Sequence, residues 1–429
     1  MSRTTIAAVA ARRVWDSRGR PTVEVEVRLA GGAAGRAIAP AGASRGTHEA
    51  EDLRDGGERL GGQDVSRAVA NVNGEIARAL AGLDARDQDA VDAALVALDG
   101  TANKARLGGN ATIATSLAVL HAAAAAQGAA VWQYLSAGAP VRLPLPEIQI
   151  FGGGAHAGRR VDVQDFMVMP VGAVSFAHAL EMVAEVYRVA GELLRGAGRL
   201  AGVADEGGWW PAFATNEEAL EWLLRAIEGA GMRPGEDLAI SLDVAASEFG
   251  RGGRYRLGLE RRELDSDGLC ELLLGWIARY PIASIEDPVA EDDAVAMARF
   301  TRAVAGRVQV IGDDFLVTSA ERVARAAAAG ACNAALIKPN QAGTVTETRA
   351  ALDAARRAGW ATVVSARSGE SEDVSIAHLA VGWDAGQLKV GSFARGERTA
   401  KWNEVLRIEE ALGAAARFAG RAALAAVAR

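Results

Sequence analysis

Several short apolar segments, each typical of a buried strand, end in a side chain that could take part in chemistry. In chain order these side chains are Asp243, Glu286, Asp313, Lys338, Arg367 with Ser368, and Lys389. An α/β barrel keeps its functional groups at the carboxyl ends of its strands, so these side chains would meet at one mouth. The order of acids, amine, guanidinium and second amine suggests a divalent metal held beside a basic amine and an anion site.

The three acids Asp243, Glu286 and Asp313 are suited to a hard cation, which prefers oxygen ligands. Three carboxylates would leave coordination positions free for the oxygens of a substrate. For any one of them, a helix cap or a salt bridge is the better interpretation, but for all three at strand ends it is a poor one. The neighbouring acids Asp287 and Asp314 are expected to cap or support the site.

Lys338 follows the apolar run 334–337 and precedes a proline, so it stands at the point where a strand ends. A free lysine is protonated at neutral pH and cannot accept a proton. A nearby metal and a second lysine, Lys389, would lower the pKa of Lys338 towards neutrality and make it a base. An ion pair between Lys338 and a buried carboxylate is a compatible alternative.

The elements that position these residues alternate between strand and helix patterns from about residue 140 onward. About eight strands in ~290 residues favour a TIM-like barrel over an open sheet. Between Pro144 and Phe176 two strand patterns occur with no helix between them, so the barrel is expected to begin with two consecutive strands. The sequence therefore predicts an α/β fold built on this barrel.

The first third of the chain has a different organisation. Strand-like runs within residues 6–39 are followed by helical periodicity over 65–83, 87–98 and 111–127, which is typical of a small α+β domain. The loop 40–49 is rich in small residues, so its backbone could move and approach a ligand closely. Prolines at 140, 144 and 146 indicate a boundary, and we expect domains at 1–139 and 140–429.

The composition excludes some functions. Half of the residues are hydrophobic, 24% are charged and the net charge is −7, with no basic stripe that would indicate nucleic acid binding. No stretch has the length of a membrane span, and the N-terminus lacks the apolar region of a signal peptide. Cys270 and Cys332 have no metal-ligand spacing and are expected to be buried, reduced thiols, which fits a cytoplasmic protein.

The chain resembles the enolases along nearly its whole length. The matching segments are Asp16-Ser17-Arg18-Gly19, Gly42-Ala43-Ser44, His156-Ala157-Gly158, Asp205-Glu206-Gly207-Gly208, Ala245-Ala246-Ser247-Glu248-Phe249, Ser284-Ile285-Glu286-Asp287-Pro288, Gly312-Asp313-Asp314, Arg367-Ser368-Gly369-Glu370 and Arg407-Ile408-Glu409-Glu410-Ala411-Leu412. The resemblance implies a small N-terminal α+β domain capping a β2α2(βα)6 barrel, usually in a homodimer. It also implies two Mg²⁺ ions, the second linked to the substrate.

The resemblance assigns roles to the residues at the barrel mouth. Asp243, Glu286 and Asp313 match the Mg²⁺ ligands, and Ser44 matches a lid-loop serine that reaches the second ion when the lid closes. Lys338 matches the base that removes the proton next to the substrate carboxylate, a pattern known for this superfamily. Lys389 is grouped with it as a catalytic residue.

Further matches cover the rest of the substrate. Glu206 matches the acid that protonates the departing hydroxide, and nearby carboxylates would raise its pKa; without the match it would be a solvated turn carboxylate. Arg367 and Ser368 match the phosphate grip. His156 matches a substrate-contacting histidine on a mobile loop, although a lone histidine there is more often a surface residue. Gln164 is also placed among the substrate-binding residues.

Departures from the enolase pattern cluster in this region. Asp165, assigned to the catalytic group, stands where enolases carry Glu, and Ala366 stands where they carry His. In the loop over the phosphate, Ala41 removes a hydroxyl and Arg45, assigned to substrate binding, adds a cation. Gly152 in place of Asn and the pair Trp209-Trp210 are further differences.

These departures lead to a hypothesis about the substrate. Proton abstraction beside a metal-bound carboxylate would survive, while the part that recognises the hydroxyl and phosphate ends is rebuilt. A carboxyphosphono analogue of 2-phosphoglycerate, as used by the enolase-like carboxyphosphonoenolpyruvate synthases of phosphonate and phosphinate antibiotic pathways, would suit the added charge of Arg45. The alternatives are an ordinary enolase acting on 2-phosphoglycerate, a non-catalytic binding protein of the same fold and, less favoured, a sugar-acid dehydratase or racemase.

Overall fold

The computed structural model describes residues 2–43 and 46–424. The N-terminal unit begins with strands β1 (Ile6–Trp15), β2 (Pro21–Leu29) and β3 (Ala34–Ile38), which form an antiparallel meander in chain order. Its helices are α1 (Ser66–Asn71), α2 (Ala77–Leu80), α3 (Gln88–Asp99), α4 (Gly109–Ala126) and α5 (Val131–Ser136), with a π-helical turn (Val72–Ile76) joining α1 to α2. The unit is thus the α+β arrangement that its sequence predicts.

Helix α4 is buried on almost all of its surface because it lies between the small sheet and the second unit. Its alanines let the backbones approach closely: a Cβ atom at Gly35 of β3 would lie 2.1 Å from the backbone nitrogen of Ala122. On the other side, the backbone N–H of Val345 donates to Ser116 Oγ at 2.9 Å. Helix α4 therefore joins the two units.

The second unit is a closed barrel of eight strands. In chain order its elements are β4 (Leu145–Gly152), β5 (Asp165–Met169), α6 (Phe176–Gly196), β6 (Leu200–Val203), β7 (Trp209–Pro211), α7 (Asn216–Gly229), β8 (Ala239–Asp243), β9 (Gly250–Arg251), β10 (Arg254–Leu257), β11 (Arg262–Asp265), α8 (Ser266–Arg279), β12 (Ile282–Glu286), α9 (Ala294–Ala303), β13 (Gln309–Gly312), α10 (Ala320–Ala329), β14 (Ala334–Ile337), α11 (Pro339–Ala342), α12 (Val345–Arg357), β15 (Ala361–Ser365), α13 (Ser375–Gly382), β16 (Gly386–Gly391) and α14 (Gly396–Leu412).

The barrel strands run in the order β4-β5-β8-β12-β13-β14-β15-β16, and β16 pairs with β4 to close the ring. Strand β5 is antiparallel to both of its neighbours, and the other pairs are parallel. The prediction of a TIM-like β2α2(βα)6 barrel that begins with two strands is confirmed. The boundary predicted at residue 139 falls between the end of α5 and the start of β4.

Inward-facing side chains fill the barrel in layers, as the strand period requires. The lowest layer is apolar and includes Leu145, Met169 and Ala239, closed from below by Leu424. Above it lies a polar layer of Glu147, Ser241, Ser284, Gln309 and Gln387, all fully buried. The charged strand ends form the top layer, so the chemistry is separated from the floor of the barrel by a hydrogen-bonded polar layer.

The described helices include none long and apolar enough to cross a membrane.

Candidate active site

Two of the predicted metal ligands stand side by side at the barrel mouth. Asp243 ends β8, Glu286 ends β12, and the two residues pair directly across neighbouring strands. Lys389 reaches them from β16 and donates from Nζ to Asp243 Oδ2 and Glu286 Oε2, each at 2.8 Å. Its Nζ also lies 3.7 Å from Asp165 Oδ2. Burial lowers the pKa of Lys389, but these carboxylates outweigh that effect and raise it well above its usual value.

The third predicted ligand, Asp313, follows β13 and binds Lys338. Lys338 Nζ donates to Asp313 Oδ2, and Gln341 Nε2 donates to Asp313 Oδ1 at 2.8 Å. Burial lowers the pKa of Lys338, but the negative charge of Asp313 outweighs burial, and the resulting pKa lies above the usual lysine value. With the protein groups alone, Lys338 is therefore a protonated partner of Asp313, and it becomes a base only when another cation offsets that carboxylate.

The carboxylates at this mouth fit a divalent metal. Glu286 Oε1 is buried and has no hydrogen-bond partner among residues 2–43 and 46–424, so one oxygen is available to a ligand. Burial and the neighbouring Asp243 raise the pKa of Glu286 well above its usual value, which reports an excess of negative charge that a cation would relieve. Asp243, Glu286 and Asp313 stay the predicted Mg²⁺ ligands. Among the described residues, the acidic group at this mouth whose possible ligand atoms all lie within 4.8 Å of one another is Asp287, Asp313 and Asp314.

Asp287 supports the third ligand from behind. Its carboxylate accepts from the backbone N–H groups of Asp313, at 3.0 Å, and of Asp314, at 2.8 Å. Burial, with Asp313 nearby, raises the pKa of Asp287 to about 8. Asp287 therefore caps the backbone of the segment that carries Asp313, as the sequence suggested.

A second cluster consists of His156, Asp165 and Glu206, whose possible ligand atoms all lie within 4.8 Å of one another. His156 Nε2 is 3.6 Å from Glu206 Oε1, and His156 is only 5% exposed, so it is not a surface loop histidine. Gln164 is also buried, and its Nε2 donates to Asp243 Oδ2 at 3.0 Å, which links this cluster to the metal ligands. The predicted acid and its neighbours are thus brought together beside the carboxylate mouth.

The two carboxyl groups of this cluster differ in their electrostatics. Burial raises the pKa of Asp165 to about 6. Burial also raises the pKa of Glu206, but the positive charges of His156, Arg398 and Lys389 outweigh it, so the net pKa is below the usual value. The expectation of a raised pKa at Glu206 counted only the nearby acids and missed these cations.

The predicted phosphate fork is buried and already paired. Arg367 donates from Nη1 to Glu49 Oε2 at 2.9 Å and from Nη2 to Glu49 Oε1 at 3.2 Å. Its Nη1 also donates to Asn340 Oδ1 at 3.1 Å. Ser368 Oγ accepts from the backbone N–H of Ala43 at 3.0 Å. The sequence analysis did not predict that Glu49 pairs with Arg367, although Glu49 lies in the loop 40–49, which was expected to approach a ligand.

The departures from the enolase pattern have visible surroundings. Ala366 lines a cavity of about 20 Å³ together with Asp165 and Val390. At Gly152, a Cβ atom would lie 2.5 Å from Ala204 Cβ, so the larger residue of the pattern has no room there. Ala41 is 2% exposed and exchanges backbone hydrogen bonds with Gly369.

The two tryptophans that follow the Glu206 turn pack against neighbouring segments. Trp209 stacks on Tyr187 with ring centroids 4.5 Å apart, and Trp210 covers Gly158 in the His156 loop. Ser44 and Arg45 lie outside the described residues, so their roles as metal ligand and anion contact stay predictions.

Comparisons with known proteins agree with this fold. Residues 6–135 match the family model described as "Enolase, N-terminal domain", and residues 140–427 match "Enolase, C-terminal TIM barrel domain". The chain is 48% identical over 424 residues to "Enolase 1" of Desulfitobacterium hafniense strain Y51, an alignment that covers 98% of this chain and 97% of that relative.

Proposed function

The chain belongs to the enolase family and is a carbon–oxygen lyase of that superfamily, and on this premise we propose that it eliminates water from 2-phosphoglycerate to give phosphoenolpyruvate. The observation that carries the proposal is the placement of Lys338 against Asp313, beside the paired carboxylates Asp243 and Glu286. That arrangement suits removal of a proton next to a carboxylate, and the similarity to an enolase over nearly the whole chain supports the ordinary substrate.

The residues divide the reaction between them. Lys338 Nζ takes the proton from the carbon next to the substrate carboxylate. Mg²⁺ bound by Asp243, Glu286 and Asp313 would supply positive charge where the substrate carboxylate gains negative charge, and would offset Asp313 beside Lys338. Lys389 keeps Asp243 and Glu286 together through its two hydrogen bonds.

The remaining groups act on the other parts of the substrate. Glu206, whose Oε1 lies 3.6 Å from His156 Nε2, delivers the proton that lets the hydroxyl group leave as water. Because nearby cations hold the pKa of Glu206 below its usual value in the free chain, Glu206 must take up this proton when the substrate binds. Arg367 and Ser368 bind the phosphate, and the phosphate competes with Glu49 for the guanidinium fork. Binding of substrate is thereby linked to the 46–49 segment of the N-terminal unit, which carries Glu49.

A carboxyphosphono analogue of 2-phosphoglycerate is the second candidate substrate. Ala366 and the short Asp165 favour it because they reduce the bulk beside the expected leaving group. The cavity of about 20 Å³ has room for about one water molecule, so either substrate requires movement of the loops, and the 48% identity to an enolase over 98% of the chain decides between them. The ordinary substrate is therefore placed first.

The test is product analysis with each substrate in the presence of Mg²⁺. Turnover of 2-phosphoglycerate to an enol product at the rate of a housekeeping enolase supports the first proposal and contradicts the second. Turnover confined to the carboxyphosphono analogue reverses that order. If neither substrate reacts and Mg²⁺ fails to stabilise the fold, the chain is a binding protein of the same architecture.

We also propose a homodimer and a cytoplasmic location. The family resemblance supports the dimer, and sedimentation at micromolar concentration tests it. Cys270 and Cys332 are both buried free thiols, which fits a reducing compartment.

A further inference from the structure

We propose that Gln149 is a positioning residue that holds Asp165 and the Glu206 turn in one arrangement for the elimination. This inference rests on the proposed function. Gln149 lies on β4 and is fully buried. Its amide has one partner at each end: Nε2 donates to Asp165 Oδ1, and Oε1 accepts from the backbone N–H of Gly208 at 2.9 Å.

The partners themselves fix the orientation of this amide. A backbone N–H can only donate, so the carbonyl end of Gln149 must face Gly208 and the NH₂ end must face Asp165. Asp165 Oδ1 is consequently an acceptor, while Oδ2 points to the site and lies 3.7 Å from Lys389 Nζ. Gln149 therefore fixes the orientation of the Asp165 carboxylate, with one oxygen on the amide and the other towards Lys389.

The second end of Gln149 acts on the turn that carries Glu206. Gly207 and Gly208 close this turn through backbone bonds to Ala204, of 3.0 and 2.8 Å. A Cβ atom at Gly208 would lie 2.3 Å from Gln149 Oε1, so the close approach of the amide requires glycine there. One side chain thus connects β5, which bears Asp165, to the turn that bears Glu206.

The lengths of Gln149 and Asp165 are matched to each other. Asp165 is 1% exposed and already touches the amide, so a side chain one methylene longer at position 165 cannot keep this contact in its present geometry while Gln149 stays in place. Shortening Gln149 alone would leave a gap and an unpartnered buried carboxylate oxygen. Changing both together, Gln149→Asn with Asp165→Glu, keeps the total number of methylenes between the two backbones unchanged.

This complementarity defines the experiment, in which kcat and KM for 2-phosphoglycerate with Mg²⁺ are measured for both single variants and the double variant. Each single change is expected to lower kcat by about 10- to 100-fold, the scale of a small misplacement of reacting groups. KM should change much less, because the phosphate fork and the metal ligands are untouched. The double variant should recover kcat to within a few-fold of the wild type.

Gln309→Asn is the matched control. Gln309 is another fully buried barrel glutamine, and its Nε2 donates to Ser284 Oγ at 3.1 Å and Gln387 Oε1 at 2.9 Å, away from the reacting groups. The Gln309→Asn variant should have a lower unfolding temperature than the wild type and an unchanged kcat. If Gln149→Asn behaves in the same way, or if the double variant shows the summed loss of the two single ones, the proposal is overturned.

Unfolding measurements separate failure of this inference from failure of the proposed function. If the wild-type chain does not act on 2-phosphoglycerate, the proposed function alone is contradicted. The coupling between positions 149 and 165 can still be measured from the unfolding free energies of the wild type, the two single variants and the double variant. If the loss of unfolding free energy in the double variant equals the sum of the losses in the two single variants, the inference is contradicted. If Gln149→Asn does not fold, a folded double variant supports the pairing and an unfolded one overturns it.

Discussion

Lys338 and Lys389 bind the same carboxylates that the proposed Mg²⁺ requires. Each ammonium group neutralises part of a buried acidic cluster, which would otherwise be costly to desolvate. A divalent cation on those oxygens takes over that neutralisation. The basicity of Lys338 is therefore coupled to metal binding, because the same carboxylate that retains its proton is the one that the cation engages.

Glu286→Gln is expected to separate metal binding from folding. Glu286 carries an unpartnered buried oxygen and a raised pKa, so the neutral amide should leave the unfolding temperature in EDTA nearly unchanged. The rise in unfolding temperature that Mg²⁺ produces in the wild type should be lost, since affinity falls by at least about tenfold. An undiminished Mg²⁺ response would remove Glu286 from the ligand set.

Glu147→Gln is expected to stabilise the protein at high pH. Burial raises the pKa of Glu147 from 4.5 to about 7 in the folded chain, and among the described residues its carboxylate accepts one hydrogen bond, from Ser241 Oγ at 2.8 Å. Between these values the folded state binds a proton that the unfolded state has released, so the unfolding free energy falls as pH rises. The variant has no carboxyl group at position 147 and so lacks this loss. Above pH 8 its unfolding free energy should exceed that of the wild type by about 2 to 3 kcal/mol.

The difference should shrink towards zero near pH 5, where Glu147 is protonated in the folded chain. Urea unfolding in EDTA across this pH range measures it. Glu321→Gln, at an exposed position of α10, is the control and should follow the wild type. If Glu147→Gln also parallels the wild type at every pH, the buried carboxylate is not the source of the slope.

Among the elements, α4 has the most demanding packing. Its small residues allow β3 to approach so closely that no side chain fits at Gly35. Gly35→Ala is expected to lower the unfolding free energy by about 2 to 3 kcal/mol, because the added methyl group must displace helix backbone. Gly196→Ala, at an exposed position of α6 with no positive φ and with nothing within 4 Å of the added Cβ atom, separates this overlap from the general effect of replacing a glycine. Equal losses in chemical denaturation would contradict the packing explanation.

The elements predicted best are those whose burial is uniform. The parallel strands lie between the barrel interior and the helices, so their apolar runs could be recognised, and the residues at their ends supplied the candidate site residues. The β6–β7 hairpin and the small sheet β9–β10–β11 were not predicted. Strand β11 is entirely polar or exposed apart from Leu264, so it carries no apolar pattern.

Side chains that act across the barrel were also missed. Gln149 is one polar residue in a buried strand, and only the closed ring shows that it faces Asp165 and Gly208. Glu49 is distant in sequence from Arg367 and meets it only because the N-terminal unit covers the barrel mouth. The sequence could therefore place the candidate site residues on strand ends but could not show which polar residues contact them.

For the molecule as a whole, the two units share one site. The barrel supplies the carboxylates and amines, and the N-terminal unit contributes Glu49 to the phosphate fork and the backbone of Ala43 to Ser368. In the proposed function, phosphate binding at Arg367 and Ser368 would be coupled to this contact between the units. The account as a whole depends on Lys338 acting as the base beside the carboxylate cluster.

Exchange of the proton at carbon 2 of 2-phosphoglycerate, followed in D₂O with Mg²⁺ by NMR, tests that claim most directly. Lys338→Met should lose exchange and dehydration together, each by about 10³-fold or more. Glu206→Gln should keep exchange while it loses dehydration. Lys104→Met, at a buried lysine paired with Glu347, should keep both. If the Lys338→Met chain still exchanges this proton at the wild-type rate, the base is another group and the account is contradicted.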